Sequence, residues 1–295
     1  MDAFSDPSVE TVVVMSSAQI GKTEILNNVI GYFVDYDPSP ILVVEPTIEV
    51  GKAYSKDRLS SMIRDTSCLT GKVREARSRD SDNTTLHKKF KGGHITIAGA
   101  NSAASLRARP IRVVLCDDVD AFPVSAGSEG DPVNLAEKRT TTFWNRKIGL
   151  FSTPTVDGES RIQAAYEQSD KRKYWVPCPH CGKFQLLIWN RDNRDRMRWP
   201  KGEPLKATYH CRHCDEGIGD ADKAKMIRQG EWRAEGEFLG IAGFWLNELY
   251  SPWVSFGRLA SRFMEAKDSL GTLQVFINTS LGETWKQVVI SKGEE

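Results

Sequence analysis

Val12-Val13-Val14-Met15-Ser16-Ser17-Ala18-Gln19-Ile20-Gly21-Lys22-Thr23 decides the reading of this chain. A β-branched run, a loop of small residues and a Gly-Lys-Thr that opens an amphipathic stretch predict a strand, a turn and a helix start. The segment follows the phosphate-binding pattern G-x-x-x-x-G-K-[ST] except at Ser16, which stands where the first glycine would be. The chemistry needs these residue types at this spacing. Backbone N–H groups of Ser17, Ala18, Gln19, Ile20 and Gly21 and of the helix start cradle phosphates, Lys22 reaches the β- and γ-phosphates, and the Thr23 hydroxyl ligates Mg2+. Serine at the first position is compatible if its backbone torsions are ordinary. The bland alternative, a fortuitous Gly-Lys-Thr, is disfavoured by the strand that precedes it.

Outward from this segment, short β-branched runs alternate with helical patterns. Lys22 to Val34 reads as a helix, Ile41 to Glu45 as a strand and Thr47 to Ile63 as a helix; Ile95 to Ala98, Arg112 to Cys116 and Ile148 to Ser152 read as strands. Between them lies a polar segment, Arg74 to Asn83. Strands spaced by helix-length segments predict an α/β fold, a mostly parallel sheet flanked by helices on both faces. The alternation loosens near Ser169. Gly257 to Phe276 reads as one helix packing back on that core. We divide the chain into a nucleotide-binding core over 1–170, a small metal insertion over 171–220 and a C-terminal part of the same core over 221–295.

A phosphate site of this kind needs an apolar strand ending in carboxylates, and Val113-Val114-Leu115-Cys116-Asp117-Asp118-Val119-Asp120 supplies one. Asp117 would hold Mg2+ and Asp118 orient the attacking water, a role that glutamate, one methylene longer, more often takes. Asp120 is a spare carboxylate or a cap for the following turn. Phosphoryl transfer also needs positive charge near the γ-phosphate. Arg107 and Arg109 are the candidates, with solvated surface arginines as the alternative. The Ser152 and Thr153 hydroxyls, at the end of a core strand, either sense loss of the γ-phosphate or simply end a strand.

The 295 residues carry 40 Lys and Arg against 39 Asp and Glu, so net charge argues neither for nor against a nucleic-acid partner and any basic surface is local. No stretch has the length of a membrane span and no signal peptide is evident, so we expect an intracellular chain without a membrane partner. Four of six cysteines form two Cys-x-x-Cys pairs, Cys178 with Cys181 and Cys211 with Cys214. Two such turns complete a tetrahedral, closed and therefore structural Zn2+ site. Chelation of that metal is expected to unfold residues near 175–217 and to leave the nucleotide core folded. Between the pairs, Arg191, Arg194, Arg196 and Arg198, with Trp189 and Trp199 at the ends, read either as a contact to a phosphate backbone or as a solvated hairpin.

These features together resemble one family, the large subunit of tailed-phage terminases in its GpA-type, lambda-like branch. Besides the segments quoted above, the likeness rests on Ile41-Leu42-Val43-Val44-Glu45-Pro46-Thr47, Arg64-Asp65-Thr66, Leu86-His87-Lys88-Lys89-Phe90 and Gly99-Ala100-Asn101-Ser102. It continues through Leu106 to Arg112, Ala136 to Phe143, Ser152-Thr153-Pro154-Thr155, Cys178-Pro179-His180-Cys181-Gly182, and Asn278-Thr279 with Leu281-Gly282-Glu283-Thr284-Trp285. The resemblance implies a P-loop NTPase of the ASCE, RecA-like kind with an inserted zinc-ribbon-like subdomain. It implies an ATP hydrolase that uses Mg2+ to drive double-stranded DNA into procapsids in the host cytoplasm, as an oligomer, with a small terminase subunit and a portal protein as partners. Lys22, Thr23, Asp117 and the Ser152-Thr153 pair fall on motif positions, whereas Asp118 departs from the usual glutamate. Family members carry a segment before the first strand and an endonuclease domain, and neither is expected in this chain. An isolated motor domain, a split gene product and a prophage remnant are equally open at this point.

Two other classes compete. A helicase-like translocase would use Asp117-Asp118-Val119-Asp120 as a DExD-like box, yet only one nucleotide core is present. A catalytically weak or remnant nucleotide fold acting as a zinc-stabilised DNA-binding scaffold would fit Ser16 and Asp118. Turnover stimulated by duplex DNA separates motor from scaffold, and unwinding of a fork separates helicase from packaging motor.

Overall fold

A computed structural model describes residues 1–73, 83–107, 109–189 and 196–287. The chain gathers into two compact units. One comprises Met1–Val14, Gly21–Ser152 and Phe238–Ala242, the other Met15–Ile20, Thr153–Glu237 and Gly243–Glu295. The division cuts across 1–170 and 221–295, while 171–220 lies whole in the second unit.

The first unit contains α1 (Asp2–Ser5), most of β1 (Thr11–Ser16), α2 (Lys22–Asp35), β2 (Ile41–Glu45), α3 (Ile48–Tyr54), α4 (Ser60–Asp65), β3 (His87–Phe90), β4 (Gly93–Gly99), α5 (Ala103–Leu106), β5 (Val113–Asp117), α6 (Pro132–Glu137) and β6 (Lys147–Ser152). Its strands stand in the order β1-β6-β5-β2-β4-β3. β5 with β6, β2 with β5 and β2 with β4 pair parallel, and β3 pairs antiparallel with β4. Every residue of β2, β5 and β6 is buried, which is the burial expected of parallel strands covered on both faces. α2 covers one face through Leu26, Val29, Ile30 and Phe33, an i, i+3, i+4, i+7 stripe at most 1% exposed. Each of these side chains contributes about 1.5–3 kcal/mol by burial.

The predicted helix over Thr47 to Ile63 is interrupted. Thr47 caps α3 by accepting from Val50 N–H at 3.3 Å, and a π-helical turn over Ser55–Leu59 joins α3 to α4. Strand β3 follows the polar segment Arg74 to Asn83, of which residues 74–82 lie outside the described residues. Its alternating burial suits the edge strand that it forms.

The second unit contains α7 (Arg161–Glu167), β7 (Arg172–Pro177), β8 (Phe184–Gln185), β9 (Met197–Arg198), β10 (Thr208–His210), β11 (Gly217–Ile218), α8 (Asp220–Arg228), β12 (Glu231–Arg233), most of β13 (Ile241–Leu246), α9 (Phe256–Ala266) and α10 (Leu270–Leu281). β7 pairs antiparallel with β12 and β8 and parallel with β13, and β9, β10 and β11 make a separate small sheet. The predicted single helix over Gly257 to Phe276 is two helices. They share one hydrophobic cluster with the cysteine region: Cys178, Cys211, Tyr209 and Trp189 lie in it with Phe256, Leu259 and Phe276. Two tyrosines stitch this core. Tyr250 accepts from Leu187 N–H at 2.9 Å and donates to Tyr174 O at 2.6 Å, while Tyr209 accepts from Ile188 N–H at 3.3 Å and donates to Leu186 O at 3.0 Å.

Candidate nucleotide site and metal centre

The first unit collects its charged side chains at the carboxyl ends of neighbouring parallel strands. The β2–β5 register pairs Val44 with Cys116, so Glu45 and Asp117 leave the sheet side by side; the β5–β6 register pairs Asp117 with Phe151, and Ser152 follows. Open α/β sheets take their ligands at this edge. α2 starts there too. Gly21 adopts φ 95°, a left-handed conformation suited to glycine, and its carbonyl accepts from both Glu24 N–H and Ile25 N–H at 3.1 Å. The N–H groups of the first helical turn precede any intrahelical acceptor. Ser16 causes no strain, because the described non-glycine residues with positive φ are Gln19, Asp118, Lys171 and Asp215.

Thr23 Oγ1 donates to Asp117 Oδ2 at 3.3 Å, and Asp118 N–H donates to Asp117 Oδ1 at 3.2 Å. Asp117 is buried while Asp118 is exposed, with φ 52°. Burial and then the charge of Asp118 push the Asp117 carboxyl up to about 6. Burial and then Asp117 and Asp118 push Glu45 up to about 8. Burial lowers the Lys22 ammonium, with Asp118 and Asp117 pulling the other way. Asp117, which already holds a threonine hydroxyl, together with Thr23 forms the pair of oxygen donors that a hard divalent cation such as Mg2+ fits, with Lys22 beside them for a phosphate.

Arg107 pairs with Glu129, and Arg109 Nη1 lies 3.0 Å from His87 Nε2. These partners stand apart in sequence from the carboxylate cluster. Ser152 Oγ accepts from Asp120 N–H at 3.2 Å, tying the tip of β6 to the segment after β5, so Asp120 enters through its backbone. Thr153, the next residue, is half-buried.

Within the second unit, Ser17 N–H donates to Leu246 O at 2.9 Å and Ala18 N–H to Thr279 O at 2.7 Å. Gly282, at φ 62°, packs against this loop: a Cβ there would meet Ser17 N at 2.7 Å and Leu246 O at 3.1 Å. Trp245 Nε1–H donates to Gly282 O at 2.8 Å, and Asn278 Nδ2 donates to Thr155 O at 2.7 Å and Glu283 O at 2.8 Å. Sequence reasoning assigned no role to Glu45, Leu246 or Gly282 individually. The one signal for Glu45 was a carboxylate closing an otherwise apolar strand.

The four cysteines converge, their Sγ atoms all within 4.8 Å of one another, and they are the one such cluster among the described residues. Cys178 and Cys214 are 3.8 Å apart and Cys181 and Cys211 3.9 Å. Four sulfurs bound tetrahedrally at about 2.3 Å stand about 3.8 Å apart, so the set fits Zn2+. Each turn is braced: His180 N–H points to Cys178 Sγ at 3.4 Å and His213 N–H to Cys211 Sγ at 3.3 Å. The two imidazoles cross over, His180 Nε2 to Gly217 O at 3.0 Å and His213 Nε2 to Phe184 O at 3.2 Å.

The suggested phosphate-backbone contact between the cysteine pairs is corrected in part. Trp189 packs against Phe263, Phe276 and Trp199 at centroid distances of 5.1, 5.2 and 6.4 Å, inside the core. Arg196 is buried and Arg198 makes a two-pronged pair with Asp215 at 2.6 and 2.9 Å. Arg191 and Arg194 lie outside the described residues.

The sequence profile of "Phage terminase large subunit gpA, ATPase domain" matches residues 1–232. The chain belongs to this family. Among curated relatives it is similar to the terminase large subunits of Enterobacteria phage P21, 28% identical over 99% of this chain and 49% of the relative, and of Escherichia phage lambda, 28% identical over 97% and 48%. The terminase chain described here thus spans about half the length of the curated relatives it matches. The large terminase ATPase domain of Thermus phage P74-26 has the same fold, with a TM-score of 0.52, 12% identity, and 93% of this chain and 88% of that one covered; a mutant of that domain gives 0.54. A second profile, "Terminase large subunit gpA, endonuclease domain", matches residues 241–294. This corrects the expectation that nothing of the endonuclease is present: a fragment matches, in the segment forming β13, α9 and α10. No described helix of this terminase chain is long and apolar enough to cross a membrane.

Proposed function

We propose that this chain is the ATP-hydrolysing motor portion of a terminase large subunit, driving double-stranded DNA into procapsids in the host cytoplasm. Its partners in that work are the small terminase subunit, the portal protein and further copies of itself. The observation that carries the reading is the Thr23–Asp117 hydrogen bond with Lys22 in the field of Asp117 and Asp118, the relation a Mg2+-nucleotide site requires. Thr23 and Asp117 would hold Mg2+, which when bound screens charge on the phosphates, and Lys22 would neutralise the β- and γ-phosphates. Ser17 and Ala18 spend their N–H groups on Leu246 and Thr279, so they hold the loop in place, and the phosphate-facing amides are those from Gln19, Ile20 and Gly21 onward. Ser152 and Thr153 report the γ-phosphate, and Arg107 and Arg109 await a phosphate or a neighbouring copy. The four cysteines hold Zn2+ as a structural ion.

Titration with a fluorescent ATP analogue and Mg2+ tests this reading. Micromolar binding that falls at least tenfold in Lys22→Ala supports it, and equal binding by both proteins contradicts it. Metal analysis should find one zinc per chain, and none in a Cys178→Ser, Cys211→Ser double variant.

A further inference from the structure

The carboxylate that the sequence offers for activating water, Asp118, is exposed, sits on left-handed backbone and is one methylene shorter than a glutamate. Next to it in the sheet stands a longer one. Glu45 closes β2, and the register places it level with Asp117 on the neighbouring strand. It is 4% exposed, and its Oε1 has no hydrogen-bond partner among the described residues. The nearby buried phenol of Tyr54 donates instead to Asn27 Oδ1 at 2.7 Å. Buried carboxylate oxygens are costly to leave unbonded, and groups kept at that cost concentrate at working sites. We propose that Glu45 is a catalytic residue of this ATPase, the carboxylate that holds the attacking water and takes its proton.

This rests on the ATPase reading above. The water oxygen bonds to the γ-phosphorus as the bond from that phosphorus to the β–γ bridging oxygen breaks. ADP leaves with that electron pair, one water proton passes to Glu45, and Glu45 returns it to solvent, so that ATP and water become ADP, phosphate and a proton. The titratable groups that bear on Glu45 are Tyr54 from α3, Asp117 from β5 and Asp118 just after that strand. Asp118 then sets the field at the mouth of the site.

The test compares the full chain with its Glu45→Gln, Asp118→Asn and Lys22→Ala variants by steady-state hydrolysis, equilibrium binding of a fluorescent ATP analogue with Mg2+, and thermal melting without nucleotide. Glu45→Gln is expected to keep analogue affinity within twofold and KM within threefold, to melt no lower than the parent, and to lose at least 100-fold in kcat, while Asp118→Asn loses less than tenfold. Glu45→Gln turning over within fivefold of the parent, with Asp118→Asn inactive, would overturn the assignment and leave the ATPase reading standing. Absence of both turnover and Lys22-dependent binding in the parent protein would overturn that reading and this one with it.

Discussion

Glu45 carries a carboxylate where ionisation is expensive, and that has a measurable sign. Its folded value, about 8, lies above the ordinary 4.5. The stability it contributes is therefore complete below pH 4.5 and is lost as pH rises through 8. Glu45→Gln removes that loss. The unfolding free energy of the variant should equal the parent's near pH 4.5 and exceed it increasingly up to pH 8.5, by an amount on the order of a few kcal/mol; a pH-independent difference would show that folding does not raise the Glu45 carboxyl. Asp117 is raised in the same way, to about 6. Mg2+ requires the ionised form, so its affinity in calorimetric titration should rise from pH 5 to pH 8. Lys22, Thr23 and Asp117 were legible in the sequence because their types and spacing are dictated by phosphate and cation. Glu45 was not, since its meaning depends on which strand lies beside β5, and that register is set by long-range packing.

At the scale of elements, the loop before α2 is held by a glycine far along the chain. Gly282 sits at φ 62° with Ser17 N and Leu246 O inside the space of a Cβ. Gly282→Ala should cost about 1–3 kcal/mol in unfolding free energy and weaken binding of the ATP analogue. Gly271→Ala, in α10 with nothing within 4 Å of the new methyl, should be neutral or stabilising by about 1 kcal/mol in the same denaturant melts. Strands Ile41–Glu45 and Lys147–Ser152 were readable because uninterrupted apolar runs bounded by turns have few other solutions. The π-helical turn at Ser55–Leu59 and the break between α9 and α10 were not. Both change helical phase without changing hydrophobic content, so periodicity alone passes over them.

At the scale of the whole molecule, the cysteine cluster is joined to more than its own hairpin. Cys178 and Cys211 share a core with Leu249, Phe256, Leu259 and Phe276, so the expectation that metal removal loosens 175–217 alone is too narrow. Chelation should raise amide hydrogen exchange across β7, β10, α9 and α10 together, and exchange confined to the two cysteine turns would show that their core stands without the metal. The sequence displayed the metal ligands plainly, whereas the shared core emerges only when α9 and α10 are seen packed beside them. The central claim is that the cluster of Lys22, Thr23, Glu45 and Asp117 hydrolyses ATP in the service of DNA movement. Steady-state ATP hydrolysis with and without linear double-stranded DNA, on this chain and on Lys22→Ala, tests it most directly. We predict turnover that duplex DNA stimulates several-fold and that Lys22→Ala abolishes; turnover that is absent, or unchanged by both the DNA and the substitution, would contradict it.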